Sequence, residues 1–380
     1  MSSTSVQTRS ESASGDSGTS TLGGALLVLR LAAGHQVVGD VQTTHTVLHT
    51  GEHRELRRYG TDEDARAARA AGRPPVLLVP PLAVSARCYD LGPGQSVVSH
   101  LLAIGRVPYV VDFGEVTRDD RNVGFEDYCD DIVPQAIERV LDDYCGDRDA
   151  RAECAGAGEV DLVAWSLGGT ISLLSAAAHP DLPVRSITAI GTPLDYASIP
   201  PYPLVKTLMK PTGGKLATAA LRILGGIPAP VVRLAYRGTA WQRELKKPGY
   251  IMRNADNTDA LGRMQAIDRF QNAMPGYAGK VSVQMWENFV YRGELASGVV
   301  NFDGRLVDLT SICVPVQLFG SHRDAITSWQ AVRHGVEVLA DSPQVHFTTV
   351  ETSHLGLIAG DAATRETWPR VAEFLSSLDH

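Results

Sequence analysis

Short runs of apolar and β-branched residues alternate with longer amphipathic segments along most of the chain. Six such runs, each five to seven residues long, have the length and composition of buried strands, at residues 75–79, 107–112, 160–165, 184–190, 314–319 and 345–350. Helices are predicted between and after them, at residues 124–144, 167–178, 328–339 and 363–378. Since strands and helices alternate, we predict an α/β fold with a mostly parallel central sheet covered by helices on both faces.

Two regions depart from this alternation. Residues 45–50 and 54–59 flank a Gly-Glu pair and predict an N-terminal hairpin, and the charged, Ala-rich residues 62–73 predict a solvated helix or loop. Residues 192–309 are rich in Pro, Gly, Lys, Tyr and Trp and indicate several short helices rather than strands. Because a structureless loop of that length is implausible inside one domain, we predict a folded insertion there.

These patterns divide the chain into four parts. Residues 1–24 are mostly Ser, Thr and Gly and predict a disordered tail. Residues 25–191 and 310–380 are expected to form the two pieces of the α/β core. Residues 192–309 are expected to form a helical lid, because an insertion at that point would lie over a site at the strand ends.

Charge and hydropathy exclude two classes of partner. The chain has 35 Lys and Arg against 43 Asp and Glu, a formal net charge of −8, with no long basic run. We therefore expect no binding of nucleic acid. A membrane-spanning helix needs about 18 consecutive apolar residues, and no such run occurs, so stable membrane insertion is not expected. The apolar stretch 22–34 contains Arg30 and leaves open a helix lying on a surface.

The cysteines and the glycine-rich segments carry no signal for a cofactor. The cysteines are odd in number and include no C-x-x-C pair, at Cys88, Cys129, Cys145, Cys154 and Cys313. We therefore predict reduced thiols in a cytoplasmic protein, without a metal site. Neither of the glycine-rich nucleotide-binding motifs occurs, so no cofactor is predicted. Coenzyme A would enter only as part of a substrate.

The segment Ala164-Trp165-Ser166-Leu167-Gly168 lies at a predicted strand-to-helix junction. A nucleophile elbow needs a sharp turn there, which lifts a serine hydroxyl clear of the sheet, with small residues two positions on either side. Gly168 meets that requirement on one side, and Ala164 replaces the usual glycine on the other. The alternative is that Ser166 only caps the helix.

A serine nucleophile needs a base to take its proton and an acid to orient that base, in the chain order Ser, Asp, His for this arrangement. Asp324 and His354 both follow predicted strands, at the sheet edge where Ser166 is expected. We predict that they are the acid and the base. Asp112 is the alternative acid, although its strand precedes the nucleophile. His322 is expected to face solvent or to lie behind the site.

Acyl transfer also needs hydrogen-bond donors for the oxyanion. The amide of Leu167 follows the nucleophile at a helix N-terminus, which favours negative charge. A second donor should come from the loop after residues 75–79, where two prolines lack an N–H group. Leu82 is the first available donor there, and Ala83 is the next.

These residues together resemble the polyhydroxyalkanoate synthases, a branch of the α/β-hydrolase superfamily. The resemblance covers roughly residues 56–375 and is carried by VLLVPPLAVSARCYDL, VPYVVDFGEV, AWSLGGT, GTPLDYA and the segments around Asp324 and His354. It implies the α/β-hydrolase fold with a lid. Synthases of this family use a cysteine nucleophile, whereas this chain has Ser166 at that position. A thiolate suits transfer between thioesters, and serine with a histidine base suits ester hydrolysis.

We therefore expect a serine hydrolase that cleaves a carboxylic ester or acyl thioester, small or oligomeric, beneath a lid. One alternative is an acyltransferase or synthase-like enzyme using hydroxyacyl-CoA, and another is a catalytically silent binding protein with the same fold. Apolar lid residues fit a medium or long acyl chain, or else pack the lid onto the body; examples are Leu221, Ile223, Val232 and Leu234. The sequence leaves the oligomeric state open, with a homodimer as one outcome.

Overall fold

The computed structural model describes most of the chain after its first 41 residues. It covers residues 42–117, 119–146, 154, 158–239 and 241–379, without the side chains of 241–244. The predicted tail and the apolar stretch 22–34 therefore lie outside the described residues. The chain divides into two units, and residues 40–239 and 266–380 belong to the larger one. The sheet and the candidate site described below lie in this larger unit.

The described chain contains twelve strands. They are β1 (His45–His49), β2 (Glu55–Tyr59), β3 (Val76–Val79), β4 (Pro108–Asp112), β5 (Val160–Trp165), β6 (Val184–Ile190), β7 (Gly226–Ile227), β8 (Tyr277–Ala278), β9 (Val299–Phe302), β10 (Arg305–Asp308), β11 (Val316–Gly320) and β12 (Val345–Thr349). Eight of them form one sheet in the order β1-β2-β4-β3-β5-β6-β11-β12. The hairpin β1–β2 and the pair β2–β4 are antiparallel, and the remaining pairs are parallel.

Helices connect these strands. In the described ranges they are α1 (Asp62–Ala70), α2 (Val97–Ala103), α3 (Val133–Cys145), α4 (Leu167–Ala178), α5 (Tyr202–Met209), α6 (Lys215–Leu224), α7 (Ala229–Thr239), α8 (Trp241–Arg253), α9 (Thr258–Asn272), α10 (Gly279–Gln284), α11 (Glu294–Ser297), α12 (Trp329–Arg333), α13 (Gly335–Val338) and α14 (Trp368–Ser377). Single π-helical stretches precede α3, α11 and α14. None of the helices in the described ranges combines the length and apolar character needed to cross a bilayer.

The central strands are buried on both faces of the sheet. Leu77 and Val79 of β3 belong to one core cluster, and Val76 and Leu78 belong to the other. Because successive strand residues point to opposite faces, an uninterrupted apolar run is what a strand between two helical layers requires. Helices α3 and α4 contribute to the first cluster, and α2 and α14 contribute to the second. The predicted α/β-hydrolase fold is confirmed by this sheet and its two helical layers.

Several elements differ from the sequence prediction. The expectation of helices without strands in residues 192–309 is wrong, since β7 pairs with β8 and β9 pairs with β10. Each of these ladders is only two to four residues long, too short to give a recognisable period in the sequence. Helix α2 was not predicted. The predicted helix 328–339 is two short helices that meet at His334.

The expectation that all five cysteines are free thiols is wrong for two of them. Cys145 and Cys154 form a disulfide, with their Cα atoms 5.8 Å apart. Cys88, Cys129 and Cys313 are free. An odd cysteine count excludes complete pairing and says nothing against one bridge between residues nine positions apart. The expected cytoplasmic location therefore loses the support that it drew from reduced thiols.

A buried acid ties together the amino-terminal ends of the central strands. Asp161 of β5 has no exposed surface, and its carboxylate accepts hydrogen bonds from Arg185 and from Ser186 of β6 at 2.5–2.9 Å. Arg106 lies 3.6 Å from the same carboxylate, and both arginines also bind Asp379. A buried carboxylate without such partners would be strongly destabilising. The network thus fixes the sheet at the end opposite to Ser166.

Helix α4 packs unusually close to the end of β3. A Cβ atom added to Gly168 would lie 2.2 Å from the carbonyl oxygen of Val79 and 2.7 Å from that of Pro80. Only a residue without a side chain allows this approach. The close contact sets the first turn of α4 directly beside the loop that follows β3.

Gly168→Ala is therefore expected to destabilise the fold by about 3 kcal/mol or more, because the obstructing atoms belong to the backbone and cannot move aside. Gly238→Ala is the matched control, since a Cβ at that helical glycine meets no heavy atom within 4 Å. The control should gain about 0.5–1 kcal/mol from helix propensity. Urea unfolding of both variants measures the difference, and equal stabilities would contradict the close approach.

Candidate active site

Ser166 occupies the sharp turn between β5 and α4. Its backbone has φ 53° and ψ −124°, in the left-handed region that residues with a side chain seldom adopt. The Ser166 N–H donates to the carbonyl of Ile190 at 2.8 Å, and the Thr192 hydroxyl donates to the carbonyl of Ser166 at 2.9 Å. The Ser166 side chain makes no capping hydrogen bond to α4. The alternative that this serine only caps the helix is thus not realised, and the backbone has the geometry of a nucleophile elbow.

Asp324 and His354 form a buried pair in the loops after β11 and β12. The Nδ1 atom of His354 lies 2.6 Å from Oδ2 of Asp324, and both residues are less than a tenth exposed. Because a carboxylate only accepts hydrogen bonds, Nδ1 of His354 carries a proton and donates a hydrogen bond to Asp324. In the neutral ring this leaves Nε2 with a free lone pair, which is the tautomer that a general base requires.

The Asp324 carboxylate accepts three further hydrogen bonds, all from its own loop. Its Oδ1 accepts from the amides of Ile326 and Thr327, and its Oδ2 accepts from the Thr327 hydroxyl at 2.7 Å. Burial alone raises the pKa of Asp324, but the charge of His354 and the hydrogen bonds from His354 and Thr327 outweigh it, so the pKa lies below its usual value. Asp324 is therefore ionised at neutral pH.

The His354 ring lies close to the turn at Ser166 and beside the end of β6. In the sheet order β5-β6-β11-β12, the loops that carry Ser166, Gly191, Asp324 and His354 all leave the same edge. A Cβ added to Gly191 would lie 3.1 Å from the His354 ring, and the rings of His354 and Trp165 are 4.9 Å apart. Because Gly191 has no side chain, it leaves room for the His354 imidazole beside Ile190, whose carbonyl accepts the hydrogen bond from the Ser166 amide.

Three hydrogen bonds join the segment that leads to Asp324 to the segment that leads to His354. The Ser321 hydroxyl donates to the carbonyl of Thr352 at 2.6 Å and accepts from the amide of Thr352 at 3.0 Å. The amide of Val350 donates to the carbonyl of Gly320 at 2.9 Å. Asp324 and His354 therefore stand on two loops that are fastened to each other.

The two amides expected to bind an oxyanion belong to segments that touch. Leu167 is the first residue of α4, so its N–H group has no acceptor within the helix. Leu82 follows Pro81 and Pro80, and the backbone of Pro80 packs against Gly168. No described residue accepts a hydrogen bond from the Leu82 amide. Ala83 has φ 58°, which marks a strained turn at this point of the loop. The oxyanion roles of Leu82 and Leu167 stay predictions.

The alternative residues have other partners. Asp112 lies at the end of β4, where its carboxylate is 2.8 Å from Arg57. His322 is exposed, stacks on Trp329 and lies 2.5 Å from Glu351. Neither side chain contacts the Asp324–His354 pair.

The sequence analysis missed the residues that support this pair. Thr327 binds Asp324 through its amide and its hydroxyl, and the neighbouring Ser328 caps α12. Ser321, Gly191 and Trp165 were not assigned any role. A threonine three residues after an acid is a local turn signal that could have been used, whereas the contacts of the others depend on the pairing of strands distant in sequence.

Other polar groups lie outside this site. Glu52, His53 and Asp120 come within 4.8 Å of one another, and the two ring nitrogens of His53 contact the Phe113 carbonyl and Asp120. A cavity of about 770 Å³ is lined by Arg121, Lys280 and other polar residues. None of its lining residues belongs to the Ser166, Asp324 or His354 loops.

No protein-family model matches the chain. Among solved structures it is similar to a monoacylglycerol lipase of Paleococcus ferrophilus, at 15% identity and TM-score 0.48, covering 86% of this chain and 99% of that one. It is also similar to mouse alpha/beta hydrolase domain-containing protein 10, at 15% identity and TM-score 0.46, covering 88% of this chain and 100% of that one. The sheet order and the two helical layers define the fold of this chain.

Curated sequences give a more extended match. The chain is 24% identical over 322 residues to the poly(3-hydroxyalkanoate) polymerase subunit PhaC of Allochromatium vinosum, covering 84% of this chain and 85% of that protein. The corresponding subunit of Synechocystis sp. is 23% identical over 314 residues, covering 80% of this chain and 77% of that protein. These matches confirm the resemblance to polyhydroxyalkanoate synthases that the sequence motifs indicate.

Proposed function

We propose that this chain is a serine hydrolase that cleaves a carboxylic ester or acyl thioester through an acyl-serine intermediate. The observation that carries the proposal is the buried hydrogen bond of 2.6 Å from His354 Nδ1 to Asp324, at the sheet edge where Ser166 turns. This bond fixes the imidazole tautomer whose Nε2 accepts a proton. If Ser166 only capped the helix, or if His354 were only structural, no ionised carboxylate would be needed beside the imidazole.

The proposed reaction has two steps. His354 Nε2 takes the proton of the Ser166 hydroxyl while Oγ bonds to the acyl carbon, and the resulting oxyanion binds the amides of Leu167 and Leu82. The imidazolium then gives its proton to the leaving alkoxide or thiolate as the carbon–leaving-group bond breaks. Water repeats the sequence, releasing the acid and restoring Ser166. Asp324 stays ionised throughout and stabilises the imidazolium.

The second candidate is acyl transfer or polymerisation, in which a hydroxyl group of an acceptor or of a growing chain replaces water. It is supported by the similarity to polymerase subunits over more than four fifths of this chain. Against it stands Ser166, where the resemblance implies a cysteine. Both candidates share the acyl-serine intermediate, so they differ only in the acceptor, which depends on how well water is kept out of the site.

Labelling with a fluorophosphonate should place an adduct on Ser166, because the probe reacts with activated serines. Ser166→Ala and His354→Ala should each abolish the adduct, by removing the nucleophile or its base. Ser175→Ala is the matched control, since this buried serine lies on the same helix and its hydroxyl has no partner among the described residues. Peptide mapping by mass spectrometry reads the result. Undiminished labelling in His354→Ala would contradict the assigned base.

Asp324→Asn should lower kcat by about 10²–10⁴-fold, because the amide no longer stabilises the imidazolium. Asp112→Asn is the control that separates the two acids, and it should retain most of the activity. Equal losses in the two variants would contradict the assignment of Asp324. Ester or thioester turnover at pH 7 provides the measurement.

The same substitution tests the electrostatics of folding. A carboxylate whose pKa is lowered in the folded state contributes stability above its unfolded pKa of about 3.9 and loses it as the pH falls through the lowered value. The original protein should therefore exceed Asp324→Asn in stability by about 1–3 kcal/mol at neutral pH. That margin should shrink below about pH 4. Denaturant unfolding across the pH range tests this, and a margin independent of pH would contradict it.

Product analysis distinguishes the two candidate functions. With hydroxyacyl-CoA and an added alcohol, we expect free hydroxy acid as the product, since Ser166 with a histidine base suits hydrolysis. Mass spectrometry of the products, with Ser166→Ala as the blank, provides the measurement. An ester of the alcohol or an oligomer in place of the acid would favour acyl transfer.

A further inference from the structure

Large apolar side chains are exposed on three consecutive helices. On α5, α6 and α7, seven of them are more than half exposed: Leu204, Leu208, Leu216, Ile223, Leu224, Val231 and Leu234. Ile223 is 85% exposed and Leu234 is 73% exposed. Elsewhere in the described part of the larger unit, the exposed side chains of this kind are Val47 and Leu306. The concentration on one segment therefore differs from the scattered apolar exposure normal for a protein surface.

These side chains are not needed to hold the three helices in place. Each helix already packs a different set of apolar residues onto the core: Tyr202, Val205 and Met209 on α5, Ala217 and Leu221 on α6, and Val232 and Tyr236 on α7. The expectation that the apolar residues of this region pack onto the body thus holds for Leu221 and Val232 and fails for Ile223 and Leu234. A surface helix of this kind would normally be polar on its outer side.

The same segment is strongly basic within an acidic chain. Residues 202–239 contain six basic residues and no acidic ones, whereas the whole chain has a formal charge of −8. The six are Lys206, Lys210, Lys215, Arg222, Arg233 and Arg237. None of them forms an ion pair with an acidic residue that the structure describes. Arg233 and Arg237 donate instead to neutral oxygens, those of Met274 and Asn272.

The three helices are neighbours. Helix α5 contacts α6, and α6 contacts β7, from which a single proline leads into α7. Leu204 and Leu208 lie four positions apart, and Val231 and Leu234 lie three apart. On α6, Leu216 lies seven and eight positions before the adjacent Ile223 and Leu224, so each set shares one side of its helix. We call the outward sides of α5, α6 and α7 the α5–α7 surface; they carry the seven apolar residues and the exposed basic residues Lys210, Lys215, Arg222 and Arg237.

Exposed leucines combined with cations that have no acidic partner among the described residues match one occupant best. Amphipathic helices that lie in a membrane interface bury apolar side chains below the headgroups while Lys and Arg bind anionic lipids. The basic residues would not strengthen binding to a neutral apolar surface, and the exposed leucines would not strengthen binding to a nucleic acid. With 8 to 11 residues each, the helices are too short to span a bilayer. We infer that the α5–α7 surface binds anionic phospholipid bilayers by lying in the headgroup region.

Vesicle sedimentation with the full chain tests this inference. We expect at least about tenfold stronger partitioning onto vesicles of phosphatidylcholine with about 30% phosphatidylglycerol than onto phosphatidylcholine alone, with most of the excess lost at high salt. Equal partitioning onto both compositions would overturn the inference and would indicate a neutral apolar surface as the occupant. The assay does not involve Ser166, so its outcome is independent of the proposed hydrolysis.

Two double variants divide the apolar from the electrostatic contribution. Ile223→Ser with Leu234→Ser, and Lys210→Glu with Lys215→Glu, should each reduce binding to the anionic vesicles by at least about tenfold. Leu306→Ser and Arg370→Glu are the controls, since Leu306 is 65% exposed on β10 and Arg370 is exposed on α14. Both should bind like the original protein.

Because every substituted residue is exposed, the thermal unfolding midpoint of each variant should equal that of the original protein. An unchanged midpoint will show that the variant is folded. Wild-type binding by both double variants would overturn the inference. Analytical ultracentrifugation of the apolar variant provides a further test. If it converts a dimer of the original protein to a monomer, the surface is an interface between copies of this chain, and the inference is overturned as well.

Discussion

The site depends on the contact between the first turn of α4 and the end of β3. Gly168 brings the helix backbone onto the carbonyls of Val79 and Pro80, closer than any side chain would allow. The chain can enter α4 at that distance only through a sharp turn, and Ser166 takes the left-handed conformation that such a turn requires. Ser166, the amide of Leu167 and the loop carrying Leu82 are all positioned by this one approach.

The rest of the site follows from sheet order and electrostatics. Parallel neighbours β5, β6, β11 and β12 deliver their connecting loops to one edge, so residues nearly 190 positions apart meet there. Burying the Asp324 carboxylate is unfavourable, and three hydrogen bonds from its own loop together with that from His354 reverse the effect. At the opposite end of β5, Asp161 is neutralised by Arg185 in a similar manner. Each end of the sheet therefore carries one buried acid whose carboxylate is satisfied by hydrogen bonds.

The sequence was informative where a local pattern determines the structure. The buried strands, α4 and the turn at Ser166 could be predicted from apolar runs and small residues, because these features require no knowledge of distant partners. The pairing of Cys145 with Cys154, the two-residue strands β7 and β8, and the roles of Ser321 and Gly191 could not. They depend on how far-apart loops meet or on ladders too short to leave a period. The apolar residues of α6 and α7 show the same limit, since composition alone does not tell inward from outward leucines.

The bonds between Ser321 and Thr352 have a consequence for motion at this edge. Since the acid and base loops are fastened to each other as well as to adjacent strands, they should shift together as one body. A displacement of that body would keep the Asp324–His354 bond intact and would change the gap between the imidazole and the Ser166 hydroxyl. If Ser166 and His354 act as proposed, such a displacement would alter the reactivity of the serine while the orientation of the His354 ring is preserved.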